Sequence, residues 1–148
     1  MDGPMYVPPF ALASDDLMAG FFEGARAGEL RVQQCLMCGA RRYPPQLFCR
    51  ACGSDQWEWR AVSGEGRVWS FVVAHPPLLP AFEPFAPYTV VTVELVDDPS
   101  IRIAGNLVET LGDPPGAIDP ATITIGDRVR VAFLDVEGVP FLQWVRGS

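Results

Sequence analysis

The chain has 148 residues, 49% of them hydrophobic and 20% charged, with a formal net charge of −7. That length suits one domain or a small module joined to a modest one, and the composition excludes a disordered chain. The acidic balance also argues against a generic nucleic-acid or anionic-membrane binder, because phosphates reward a basic surface.

All eleven basic residues are arginine. No run of about eighteen apolar residues is present, so no membrane span is expected. The opening "MDGPMYVPPF" lacks the basic start and long apolar stretch of a secretory signal. A cytoplasmic protein with reduced thiols is the expectation, which favours metal over disulfides.

Residues 1–13 hold three prolines and read as an extended lead-in. In "SDDLMAGFFEGARAGEL", Ser14 suits a helix N-cap, and Asp15 and Asp16 place negative charge in the first turn. Leu17, Met18, Phe21, Phe22 and Ala25 fall on one helical face, and Gly28 is a stop, so a helix is expected over about residues 15–27.

The segment "CLMCGARRYPPQLFCRACG" follows and holds all four cysteines, Cys35, Cys38, Cys49 and Cys52. A Cys-x-x-Cys turn lets two sulfurs converge on one ion, and two such turns complete a tetrahedral zinc site. Gly39 and Gly53, directly after each pair, allow a positive φ and close backbone approach. Four thiolates fill the coordination shell, so the metal is expected to be structural. The same ligand set also suits iron. Disulfides or a redox pair are the weaker readings, since neither pair opens a clear helix. Arg41, Arg42 and Arg50 lie beside the ligands. They either offset the negative metal cluster or grip an anionic ligand such as a nucleotide phosphate.

Beyond residue 60 the period becomes two. Segments 67–75, 88–95, 101–108, 127–133 and 140–145 are short, rich in Val, Ile and aromatics, and separated by turn signals. Five strands with no helix read as a small closed barrel of OB type. The loop "HPPLLPAFEPFAP" (75–87) is long for a hairpin and is expected over the barrel mouth or a neighbour. The fold class is therefore mainly β, with lead-in and helix over 1–30, zinc ribbon over 31–60 and barrel over 61–148.

Catalytic signals are scarce. His75 is the sole histidine, with no marked nucleophile near it, and Asp97 and Asp98 before Pro99 read as a turn. The aromatic helix face Leu17, Met18, Phe21 and Phe22 either packs internally, docks on a partner or lines an apolar groove.

The order of parts, with "GELRVQQCLMCGARRYPPQLFCRACGS" followed by "WRAVSGEGRVWSF", "PYTVVTVEL" and "IGDRVRVAF", resembles an acyl-CoA-associated family. That family joins a rubredoxin-like zinc ribbon to an OB-fold and was long catalogued only as a domain of unknown function. The resemblance covers about residues 14–145. It implies a structural Zn2+ on the four cysteines and a partner of thiolase fold acting on CoA thioesters. In steroid side-chain degradation, such a domain accompanies a thiolase-like aldolase that works by retro-aldol chemistry. Some relatives are fused to a hydratase of hot-dog fold. No hydratase-sized extension is seen here, so a stand-alone subunit or an excised domain is expected.

The leading expectation is a non-catalytic subunit of an aldolase or thiolase complex. Its ribbon and helix would meet the partner, and its barrel would shape the acyl-CoA entrance. Two alternatives stand beside it. One is a single-stranded nucleic-acid-binding OB module. The other is a carrier that holds CoA through Arg41 and Arg42.

Overall fold

The computed structural model describes residues 17–147. Helix α1 (Ala19–Arg26) leads into a three-stranded antiparallel sheet of β1 (Leu30–Cys35), β2 (Arg41–Arg42) and β3 (Trp57–Val62), in the order β2-β1-β3. The helix is shorter at its start than the stripe suggests, and the expected cap at Ser14, Asp15 and Asp16 lies outside the described residues. No helix among the described residues is long and apolar enough to cross a membrane.

β1 and β3 pair along their whole length, from Leu30↔Val62 to Cys35↔Trp57. The metal-site cysteine at the end of β1 is thus anchored by a complete strand pair. Gln33, fully buried, accepts a hydrogen bond from the Gln46 backbone amide at 2.8 Å. That bond ties the "YPP" crossing to the centre of β1.

The five expected strands appear as β4 (Glu65–Ala74), β5 (Tyr88–Leu95), β6 (Arg102–Val108), β7 (Arg128–Val136) and β8 (Val139–Arg146). They close in the order β4-β5-β6-β8-β7, with β6 and β8 parallel and the other pairs antiparallel. That is the OB arrangement. β5 shows the cause most plainly: its residues alternate strictly between half-exposed and buried, as a barrel wall requires. Two short 3-10 turns, Glu83–Phe85 and Pro120–Thr122, interrupt the otherwise helix-free half. In the long proline loop, Phe82 packs near Tyr88 with centroids 6.4 Å apart, and Phe85 rests on Leu134 and Val136.

The helix stripe is spent inside the chain. Phe21 and Phe22 are 5% and 3% exposed, and both join the core that also holds Leu30 and Val32 of the ribbon and Val91, Ile103 and Trp144 of the barrel. Phe21 lies 5.4 Å from the Tyr43 ring and 6.2 Å from Phe133. This corrects the docking expectation for Phe21 and Phe22: both rings pack into the chain's own core and reach solvent only at the floor of an apolar cleft. Leu17 and Met18 remain half-buried, and Met18 packs against the same core. Gly20 makes the close approach feasible: a Cβ there would stand 2.2 Å from Cδ1 of Trp59. One hydrophobic core therefore spans ribbon, helix and barrel.

Phe22→Ala should cost about 3–5 kcal/mol of unfolding free energy in a denaturant titration. Val72→Ala, on the outer barrel wall, should stay within about 0.5 kcal/mol of the parent chain.

Candidate metal centre and its neighbouring clefts

Two tight turns bring the cysteines together. In the first, Gly39 N–H donates to Cys35 O at 3.0 Å, and in the second Gly53 N–H donates to Cys49 O at 2.8 Å. Gly39 and Gly53 both have φ of 79°, and a Cβ at either would meet only open space. Glycine is needed there for its backbone conformation and not for room.

The four Sγ atoms lie within 4.8 Å of one another. Cys35 stands 3.6 Å from Cys52, and Cys38 stands 3.6 Å from Cys49, so the close pairs join one turn to the other. All four are free thiols. Sulfurs held 2.3 Å from a tetrahedral zinc would be about 3.8 Å apart, so the cluster has the right size for that ion. Cys35 and Cys49 are buried, while Cys38 and Cys52 are exposed.

The electrostatics agree with a cation at the centre. The Cys38 backbone amide donates to the Cys35 sulfur and draws its thiol from the ordinary 9.0 down to about 6. The Cys52 amide lowers Cys49 in the same way. Against the pull of the Ser54 amide, the Cys35 sulfur pushes Cys52 up to about 12. Crowded sulfurs resist ionising together, so without positive charge between them some must keep protons. A bound divalent ion removes that conflict and leaves four thiolates. With the shell filled by sulfur, such an ion offers no open position to substrate.

Arg41, Arg42 and Arg50 are brought to one place. They line a cleft of about 310 Å3 between the ribbon and the β5–β6 turn of the barrel, which contributes Ser100 and Ile101. Arg41 Nε donates to Gln34 Oε1 at 3.2 Å, and Arg42 Nη2 donates to Gln46 O at 2.8 Å. Arg42 Nε and Nη1 are buried with no hydrogen-bond partner, and its guanidinium sits 6.0 Å from the Trp57 ring centroid. Arg50 is exposed. A second, largely apolar cleft of about 350 Å3 opens between α1, Tyr43 and strands β5, β6 and β8.

The remaining candidates have structural tasks. Asp97 accepts hydrogen bonds from the amide and hydroxyl of Ser63, which lower its pKa, and so ties the ribbon–barrel junction to the β5–β6 turn. Asp98 accepts from the Ser100 amide at 3.1 Å within that turn. His75 is exposed at the end of β4. One feature escaped the sequence reading: Leu36 and Met37 in the first turn, and Leu47 and Phe48 before the second, are all more than half exposed. The available signal was four large apolar residues packed against metal ligands in the chain.

Residues 22–58 match the family described as ChsH2, rubredoxin-like zinc ribbon domain, and residues 59–134 match ChsH2, C-terminal OB-fold domain. Among curated relatives, a probable enoyl-CoA hydratase alpha subunit of Thermomonospora curvata is 38% identical over 119 residues, covering 80% of this chain and 34% of that protein. The 3-oxo-4,17-pregnadiene-20-carboxyl-CoA hydratase alpha subunit of Mycobacterium tuberculosis is 34% identical over 126 residues, covering 85% of this chain and 36% of that one. This chain thus spans about a third of the length of both. Among solved structures, a chain of an Ltp2-ChsH2(DUF35) aldolase matches with TM-score 0.74 and 34% identity, over 91% of this chain and 98% of that one. A DUF35-family protein from Sulfolobus solfataricus matches with TM-score 0.59 and 12% identity, over 90% and 87%, and shares the fold.

Elemental analysis of the purified chain should find about one zinc per polypeptide, and Cys49→Ser should remove most of it. Protons compete with the ion for sulfur, so bound metal should fall as the pH is lowered and return when it is raised.

Proposed function

Because the chain belongs to the ChsH2 family, in which a rubredoxin-like zinc ribbon is followed by an OB-fold, we propose that it is a non-catalytic subunit of a thiolase-fold aldolase acting on steroid side-chain CoA thioesters. The observation that carries this reading is the match to an aldolase-complex chain over 98% of that chain's length, at 34% identity. The name of the Mycobacterium tuberculosis relative adds a steroid carboxyl-CoA as the substrate class.

In this reading the four cysteines hold zinc as scaffold, and bond cleavage belongs to the companion chain. The arginine cleft takes the phosphates of CoA. Arginine presents several donors in a planar fork that matches phosphate oxygens. Arg50 is exposed at this cleft, where an incoming acceptor can meet its guanidinium. The acyl end of the thioester then extends out of the cleft toward the companion active site. The acidic chain as a whole disfavours anions, so a local arginine group is needed to hold one.

Co-expression with a companion thiolase-fold aldolase should yield a complex that cleaves its steroid CoA thioester faster than the companion alone. No association and no change in rate would refute the reading. Within an active complex, Arg50→Ala combined with Arg42→Ala should raise KM for the thioester about tenfold or more, with kcat changed far less, since these contacts bind a non-reacting part of the substrate.

A further inference from the structure

We infer that the apolar tips beside the two metal turns, Leu36 and Met37 on one side and Leu47 and Phe48 on the other, form the surface that seats the companion aldolase chain. This rests on the accessory-subunit reading and names the face it uses. The four side chains are 54%, 71%, 62% and 60% exposed. Nine large apolar residues are exposed among the described residues, and these four fall between positions 36 and 48. The other five are spread over the strands and loops of the barrel.

Single exposed apolar residues are ordinary on any protein, but clustering is not. Each of the four lies within two residues of a metal-site cysteine, and the four sulfurs are within 4.8 Å of one another. The backbone that carries the four tips is therefore gathered at one end of the ribbon. Together they present on the order of 400–500 Å2 of apolar surface, the size of the largest patch on a soluble monomer, which is often functional, and about half of one side of a standard interface.

The backbone beneath them is fixed. Leu36 N–H donates to Gln56 O at 2.9 Å, and Cys49 N–H donates to Ser54 O at 2.8 Å. A backbone already fixed spares association the cost of ordering a loop, leaving only side-chain rotamers to be set. Charge selects the kind of seat. Residues 30–54 contain no Asp or Glu and four arginines; Arg31 pairs with Glu29, which leaves Arg41, Arg42 and Arg50, in a chain whose net charge is −7. The matching surface is an apolar hollow with an acidic rim. Continuity points the same way, because Phe48, Cys49 and Arg50 are consecutive and the last two line the arginine cleft. A companion seated on the tips stands directly beside the proposed phosphate site, where the acyl end of the thioester must go.

The test is affinity for the companion aldolase chain, measured by titration calorimetry on the 148-residue chain. Met37→Glu and Phe48→Glu should each weaken binding tenfold or more, with zinc content and unfolding midpoint unchanged. Val72→Glu and Ile125→Glu, at comparably exposed sites on the barrel, should bind as the parent does. Should a glutamate disturb the zinc site, Met37→Ala and Leu47→Ala replace it, with at least a threefold loss expected. Ribbon variants that keep zinc and bind within twofold of a binding parent would overturn this inference alone, as would equal losses in the barrel variants. A parent chain that does not bind the companion would overturn the accessory-subunit reading and this inference with it.

Discussion

Four sulfurs crowded within 4.8 Å of one another impose the constraint from which the rest of the architecture follows. The ribbon sheet has only three strands, one of them two residues long, and cannot bury enough surface to order its own turns. A divalent ion among four thiolates supplies that order and neutralises part of the charge that keeps the sulfurs apart. The consequence is not local. β1 ends at Cys35, paired with Trp57 at the start of β3, and the helix lies across this strand pair through Gly20 and Trp59. Order at the sulfur cluster is therefore passed to the helix, and from the helix to the barrel core.

The shared core gives that transmission its stiffness. Phe21 touches Tyr43 of the ribbon and Phe133 of the barrel, and Leu30 and Val32 belong to the same cluster as Val91 and Trp144. A flexible joint would leave the cleft between Arg41, Arg42 and Arg50 and the β5–β6 turn without a defined shape. Here the junction is closed twice, by the apolar core and by Asp97 accepting from Ser63. The cleft that the arginines share with the β5–β6 turn is consequently of defined shape.

Much of this was legible in the amino-acid order, because the signals were local. The two-residue period marked the five barrel strands, and β5 begins and ends where Tyr88 and Leu95 suggested. The spacing of Cys35, Cys38, Cys49 and Cys52 identified the one cluster that the described residues bring together for a metal. What stayed hidden depends on contacts distant in the chain. An aromatic stripe looks the same whether Phe21 and Phe22 meet their own barrel or another protein, so periodicity could not decide between them. The arginine cleft needs Ser100 and Ile101, about fifty positions after Arg50, and no spacing rule links those residues.

The exposure of Leu36, Met37, Leu47 and Phe48 has its cause in the same coordination geometry. In an ordinary loop, large apolar side chains next to a core can turn inward and gain burial. Here each is tethered to a cysteine whose sulfur must face the cluster, while the neighbouring backbone is held by hydrogen bonds to Gln56 and Ser54. Turning the side chains inward would pull sulfur away from the centre. The arrangement that makes a small ribbon foldable also obliges it to display apolar surface. In water that surface carries a standing free-energy cost, which contact with another protein removes. The turns that gather the sulfurs are thus the same turns that carry the exposed apolar side chains.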